Sequence, residues 1–419
     1  SGAMPDFEED AAAPWYSERA TITAVKIGSG VTHIGSFAFY NCQTMASVTI
    51  PSSVTSIGVR AFGDCYGVAE LRIDSIESWC KVSIGVGDAV GGPFVASTVS
   101  EKKLYVGGAD VPTTALAIPD GIKTVNEYAF ACFGMLTSVT IPSSVTSIGN
   151  NAFDRCSGLT SVTISEGVTN IGDAAFQMCS GLTSVTIPSS VTSVDNSAFS
   201  ECSGLTSVTM LEGLPSIAPS MFAACSNLKS VTIPASVTNI GYQAFQLCSG
   251  LTRVTIPSSV TSIGNYAFKS CSGLTRVTIP SSVENIGNNA FSSCSALKYV
   301  VEMREQPPTA GTKIFGLQQT FKGTIYVSPT SVGDYKATVG WGDPYEAFIK
   351  SWLPTVEYLD WDDEKKEMCS VTCMAYDVVT NGMDVFEAGR TYMVTNDVVC
   401  TTGITVEGTA TNATRLILC

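Results

Sequence analysis

One histidine, His33, serves a chain of 419 residues. That scarcity removes most routes to imidazole general-base catalysis and to Cys/His zinc sites. His33 fills a slot that Ser56 and Ser147 fill elsewhere, so it reads as an exposed surface residue. Charge is also sparse, at 14% of residues, against 45% hydrophobic, which excludes a disordered polyelectrolyte. Basic residues number 23 against 37 acidic, a net charge of −14 that repels phosphate, so neither nucleic acid nor anionic lipid is an expected partner. No apolar run of about 20 residues occurs, so no direct membrane insertion is expected. The opening SGAMPDFEED lacks the basic and apolar regions of a leader, and the ending Leu416-Ile417-Leu418-Cys419 is an interrupted strand-like run. The expectation is a start that is either mature or trimmed, and a following module cut short.

Chemical motifs are missing too. There is no P-loop or dinucleotide fingerprint, and no pair of carboxylates at glycosidase spacing is evident. Asp360, Asp362, Asp363 and Glu364, beside Trp361, form an acidic run that reads as a solvated loop or, alternatively, a calcium site. No cofactor, no metal and no enzymatic activity are expected.

What the chain has is a period. Cys156, Cys179, Cys202, Cys225, Cys248, Cys271 and Cys294 recur every 23 residues, and Cys42 and Cys65 share the step. Phe39 and Phe62, then Phe130 through Phe291, keep the same interval. A strict period of this length marks a solenoid. In the unit from Val139 to Ser161, Val139-Thr140-Ile141 reads as a short strand closed by Pro142. Val145 and Ile148 form a second apolar pair, Gly149 permits a turn, and Ala152, Phe153 and Cys156 fit one helical or 3₁₀ turn before Leu159. These eight inward residues cannot offset the ordering of 23 backbones, so only a stacked array is stable.

Strands begin at Val25, Val48 and Leu71, then at every 23rd residue from Leu116 to Val300. The phase breaks over 74–115, an irregular insertion in which Leu104-Tyr105-Val106-Gly107-Gly108 reads as a strand entering a tight turn. At Cys132 the cysteine slips by one place and Phe133 takes its slot. One cysteine per unit suits neither zinc nor disulfides, because side chains in one column do not face each other. Free buried thiols acting as small apolar fillers are expected. Pairing among Cys369, Cys373, Cys400 and Cys419 stays open.

The unit LTSVTIPSSVTSIGNNAFDRCSG resembles the BspA-like leucine-rich repeats of bacterial and protozoan surface proteins, over roughly residues 20–350. The resemblance implies a β-rich leucine-rich-repeat solenoid of ~23-residue units, with short parallel strands and short 3₁₀ or helical turns. It divides the chain into an N-terminal cap (1–24, with Pro14-Trp15-Tyr16 over the first rung), repeats (25–302), a closing cap (303–352) and a small β-rich C-terminal segment (353–419). In that segment Thr391–Val394, Ile404–Gly408 and Leu416–Cys419 look like strands of a parallel β-helix module. The resemblance also implies a bacterial, secreted or cell-surface adhesin that binds a protein or glycan. The alternatives are a passive spacer and an accessory module of a larger glycan-active protein.

The outward strand residues form a ladder of Ser138/Thr140, Ser161/Thr163, Ser184/Thr186, Ser207/Thr209 and Ser230/Thr232, turning basic at Arg253/Thr255 and Arg276/Thr278. Threonine suits strands without carrying any message. The sharper reading is a polar groove for glycan or extended peptide. Its candidate ligand-binding residues are Arg253, Arg276, Thr232, Thr255 and Thr278, with the arginines accepting an anionic group.

Overall fold

A computed structural model describes residues 2–8, 13–85, 102–317, 321–342 and 345–351, together with four strands further on, Val356–Asp362, Glu367–Cys373, Asp377–Val379 and Tyr392–Val394. Each unit contributes a long strand such as Ser138–Ile141 and a short strand such as Ser147–Ile148. Both stack in parallel on the same strands of the next unit without a shift of register, so that Val139 pairs with Val162 and Ile148 with Ile171. Valine and isoleucine fill the inward positions and Ser/Thr the outward ones, as alternation in a half-buried strand requires. The long strands form runs of four, three and eight. The last run extends from Ser184–Ile187 to Ile349–Ser351. The short strands build a second sheet that the periodicity did not separate from a mere apolar pair.

The third side of each unit departs from the sequence reading. Ala152–Cys156 is not helical. Asn151 and Arg155 are left-handed, with φ of 54° and 58°, and the same two positions repeat in the units that follow. Left-handed geometry costs a non-glycine residue roughly 1–2 kcal/mol. The compensation lies between units: the N–H groups of Asn151, Phe153 and Arg155 donate to the carbonyls of Asp173, Ala175 and Gln177 at 2.8, 2.8 and 2.7 Å. A helix would spend those donors within its own segment. Gly149 is needed for close approach, since a Cβ there would lie 2.7 Å from the Glu127 nitrogen of the preceding unit.

The core is columnar. Phenylalanines stack ring on ring from Phe130 to Phe291, with centroids 5.1–5.8 Å apart and planes within 14°. The cysteines from Cys42 to Cys294 are free and buried, and those of the repeats are more than fillers. From Cys156 to Cys294 each Sγ donates to the carbonyl of the phenylalanine 26 residues earlier, at 3.0–3.2 Å. From Phe153 to Phe268 the thiol thus adds a second bond to a buried carbonyl that already accepts the N–H of the cysteine three residues on, at 3.2–3.4 Å. Phe133 is buried in the cysteine slot, and Cys132 takes the left-handed position beside it at φ 67°.

The insertion is more regular than its sequence. Lys103–Val106 continues the first long-strand run in register, with Leu104 beside Leu71, and turns at Gly107 and Gly108, whose φ are 65° and 78°. A short helix, Ile76–Cys80, is capped by the Ser75 side chain. Its Trp79 Nε1 donates to the Ala129 carbonyl at 2.7 Å, which ties the insertion to the repeats beyond it.

At the first unit Gly2–Ala3 adds a strand beside Val31–Ile34. Trp15 stacks on Phe39 with centroids 5.3 Å apart, and its indole N–H donates to the Ala38 carbonyl at 2.8 Å. At the other end Phe315 continues the aromatic column, 5.9 Å from Phe291. Among the described residues no further repeat unit accepts the Phe315 N–H. The Tyr345 hydroxyl accepts it at 3.1 Å and donates onward to the Gly316 carbonyl at 2.5 Å.

Further along, Val356–Asp362 and Glu367–Cys373 form an antiparallel hairpin. Asp360 and Asp362 therefore lie in a strand, not in the loop the acidic run suggested. Tyr392–Val394 pairs in parallel with Asp377–Val379. Asp363, Glu364, Ile404–Gly408 and Leu416–Cys419 lie outside the described residues, as do the side chains of Cys369, Cys373 and Cys400.

Candidate functional site: the outer face of the long-strand sheet

Within the eight-strand run one outward column reads Ser184, Ser207, Ser230, Arg253, Arg276, Tyr299, each hydrogen-bonded strand neighbour carrying the next residue. A second column reads Thr186, Thr209, Thr232, Thr255, Thr278. Parallel rungs are about 4.8 Å apart. All five sequence-predicted residues therefore fall on three neighbouring strands of one face. Thr232, Thr255 and Arg253 are exposed, whereas Thr278 and Arg276 are half-buried. The Arg276 Nε and Nη2 atoms are shielded from solvent, so Arg253 presents the more accessible guanidinium.

Two features of this face were missed. Tyr299, 40% exposed, continues the arginine column, with the Tyr326 ring 6.4 Å away. Its position one period after Arg276 was the available signal. The second is a reversal of charge. Residues 139–228 hold six acidic side chains and one basic, whereas residues 229–304 hold six basic and two acidic. One of those two, Glu302, is fully buried, and burial pushes its carboxyl well above the usual carboxylate range. The arginines thus sit in a positive segment of an acidic chain.

His33 does have neighbours. Its Nδ1 lies 2.7 Å from Ser56 Oγ and its Nε2 3.4 Å from Asp6 Oδ1. Asp6 makes its shorter bond, 2.6 Å, to the Ser36 N–H; that bond, helped by the weaker contact with His33, holds its carboxyl below the usual range. Ser56 stands in an outward sheet column between His33 and Ser83. The trio pins the N-terminal strand to the first unit. Among the described residues no group of three His, Cys, Asp or Glu side chains could hold a metal ion, and no helix is long and apolar enough to cross a membrane.

Parallel rungs, an apolar inner column and a turn that bonds forward define a leucine-rich-repeat β-solenoid. The profile of the BspA type leucine rich repeat region matches in six copies, over residues 15–81, 110–229 and 195–319, and the chain belongs to that family. Among solved structures, a leucine-rich repeat protein from Bacteroides ovatus ATCC 8483 is 22% identical, with a TM-score of 0.56 over 83% of this chain and 91% of that one. A leucine-rich repeat protein from Eubacterium ventriosum ATCC 27560 is 24% identical, with a TM-score of 0.46 over 70% of this chain and 88% of that one. A leucine rich cell surface protein from Faecalibacterium prausnitzii A2-165 is 23% identical, with a TM-score of 0.38 over 67% and 87%. No curated protein sequence matches the chain.

Proposed function

We propose that this chain is a secreted or cell-surface interaction scaffold, an adhesin-type module that binds a host or matrix protein or glycan on the outer face of its long-strand sheet. Arg253 and Arg276 accept a carboxylate or sulfate on the ligand, and Thr232, Thr255 and Thr278 border it. The observation that carries this reading is the arginine pair on adjacent hydrogen-bonded strands. Serine satisfies the fold at the same position in the preceding rungs from Ser138 to Ser230, so the fold does not demand the arginines. Guanidinium forks bind carboxylate and sulfate bidentately. Arg253 makes the main contact, and Arg276 contributes field more than hydrogen bonds.

The uniform Ser/Thr rungs before Arg253 favour a second reading, a passive spacer for another domain. An array of matrix proteins and sulfated or uronate glycans separates the two. The scaffold reading expects a ligand whose affinity falls when Arg253→Ser and Arg276→Ser are combined, with a flatter salt dependence. Binding that is indifferent to the double variant and to salt refutes the assignment of this face, and an array with no ligand leaves the spacer.

A further inference from the structure

The corner between the long and the short strand lies on a different edge of the solenoid from the outer sheet face and is independent of any ligand there. Two units replace the usual Pro-Ser-Ser corner with Ser165-Glu166-Gly167 and Leu211-Glu212-Gly213. Each glutamate reaches forward to the corner of the next unit. Glu212 accepts from the N–H groups of Ala235 and Ser236 at 3.0 and 2.8 Å, one carboxylate oxygen to each. Glu166 does the same with Ser189 and Ser190 at 3.2 and 3.0 Å. Adjacent N–H groups forked onto one carboxylate make an anion nest. Desolvation opposes ionisation, most of all at Glu166, yet the backbone bonds draw both carboxyls below the usual range.

The same nest recurs without a glutamate. Pro257-Ser258-Ser259 and Pro280-Ser281-Ser282 have the same corner as the occupied units. Val260 N–H bonds back to Pro257 O at 3.1 Å and Val283 N–H to Pro280 O at 3.0 Å, matching Val191 to Pro188 and Val237 to Pro234 at 3.1 Å. The second serine of each corner also makes the same bond, Ser259 Oγ to Val237 O and Ser282 Oγ to Val260 O, as Ser190 and Ser236 do to Val168 and Leu214. In these two units the slot that would supply the carboxylate holds Ala235 and Ser258. Among the described residues nothing accepts from the N–H groups of Ser258, Ser259, Ser281 or Ser282. Both open corners lie in the positive segment, and the occupied acidic slots, Glu166 and Glu212, lie in the negative one. Arg304, one unit on, sets its guanidinium against the Ser281 and Val283 carbonyls at 3.3 and 3.5 Å, adding positive charge to the last open corner.

We infer that the Ser258–Ser259 and Ser281–Ser282 corners form a paired carboxylate-binding site for an acidic peptide segment of a partner. Where the chain does not supply its own glutamate, a glutamate side chain from outside takes the place. A glutamate fits better than a uronic acid, because its two-methylene arm lets the carboxylate enter while the ligand's backbone stays clear of the corner, as Glu166 and Glu212 do from a neighbouring rung. The two nests lie about 4.8 Å apart, within reach of neighbouring side chains on one acidic segment.

The test uses the full chain labelled with ¹⁵N-serine and titrated with an amidated tetraglutamate peptide at constant ionic strength. Saturable amide shifts are expected at Ser258, Ser259, Ser281 and Ser282, with none at Ser189, Ser190 or Ser236, whose nests are filled. Ser143–Ser144, where the slot holds Asp120 and the surroundings are negative, should respond more weakly. Ala235→Glu should abolish the response at Ser258 and Ser259 alone, and Ser258→Glu that at Ser281 and Ser282. Both variants copy a residue the chain already carries at the equivalent position. Glu212→Ala should create a response at Ser236. No saturable shift at the four serines overturns the site, as do equal shifts at the filled corners or responses that survive the glutamate variants. Saturation by tetragalacturonate and not by the peptide overturns the assignment of the ligand.

Discussion

Removal of one ring from the middle of the phenylalanine column probes both the core and the way units couple. Phe222 has no exposed surface and stacks on Phe199 and Phe245 at 5.8 and 5.6 Å, both at 14°. Phe→Ala in a core costs roughly 3–5 kcal/mol. Here the upper part of that range applies, because two stacking contacts of about 0.5–1.5 kcal/mol each are lost with the buried area. Collapse cannot recover much. Phe199 and Phe245 are each held from their far side by Phe176 and Phe268, at 5.3 and 5.2 Å. The backbone bonds of the unit survive, including the acceptance of the Cys248 thiol by the Phe222 carbonyl at 3.1 Å. The loss therefore falls on nearest-neighbour coupling, and in a linear array a weakened joint lets the two sides unfold separately. Urea unfolding of Phe222→Ala, followed by far-UV circular dichroism and tryptophan fluorescence, should show two transitions where the parent shows fewer. Trp15 and Trp79 report on one side and Trp341 on the other. A variant within about 1 kcal/mol of the parent, with an unchanged profile, would refute the columnar account of stability.

The buried thiols should be inert. Burial pushes Cys202 and Cys248 up to about 12, so a thiol reagent should leave Cys156 through Cys294 unlabelled in native protein and label all of them after denaturation without reductant; rapid native labelling would contradict their placement. Asp154 should make stability depend on pH. Burial raises its carboxyl to about 6 against an ordinary 3.8, with Arg155 Nε 3.4 Å away opposing the shift. A group raised on folding gives its full stability below the unfolded value and loses it as pH rises through the folded value. About 3 kcal/mol should therefore disappear between roughly pH 4 and 6. Asp154→Asn should flatten unfolding free energy across that window, and an unaltered slope would show that Asp154 is not the group responsible.

The parts of this molecule that repeat in residue type were legible before any coordinates. Phe153 and Cys156 announce an inward column because each recurs unchanged at its own step, and Arg253 and Arg276 fall on one face because their spacing equals the period. What stayed hidden is geometry carried by varied residues or by distant partners. The left-handed slot is occupied by Arg155, Met178, Glu201, Ala224 and Leu247 in turn. No side-chain preference unites these, because the conformation is imposed by carbonyls of the next unit. The cysteine's role as a donor was hidden in the same way, since its acceptor is a backbone carbonyl 26 residues back. The second sheet escaped notice because two-residue strands such as Ser147–Ile148 are too short to show alternation. The corner nests could have been found, since Glu166 and Glu212 depart from the commoner Pro-Ser-Ser, but a substitution in a loop gives no hint of what it reaches.

Tyr345 has a consequence for the length of the protein. Its hydroxyl takes over the acceptor that a further unit would provide for the Phe315 N–H, and gives its own proton to the Gly316 carbonyl. Trp15 meets the opposite end through the ring and carbonyl that every unit offers. Neither residue senses how many units stand between them. Gain or loss of a whole 23-residue segment therefore leaves both ends in working order and changes the reach of the molecule by about 4.8 Å. A step of another length needs a loop to absorb the difference, as the one extra residue between Phe291 and Phe315 does. Tandem duplication and excision in whole units give such a gene a graded way to vary how far its product extends, one rung at a time.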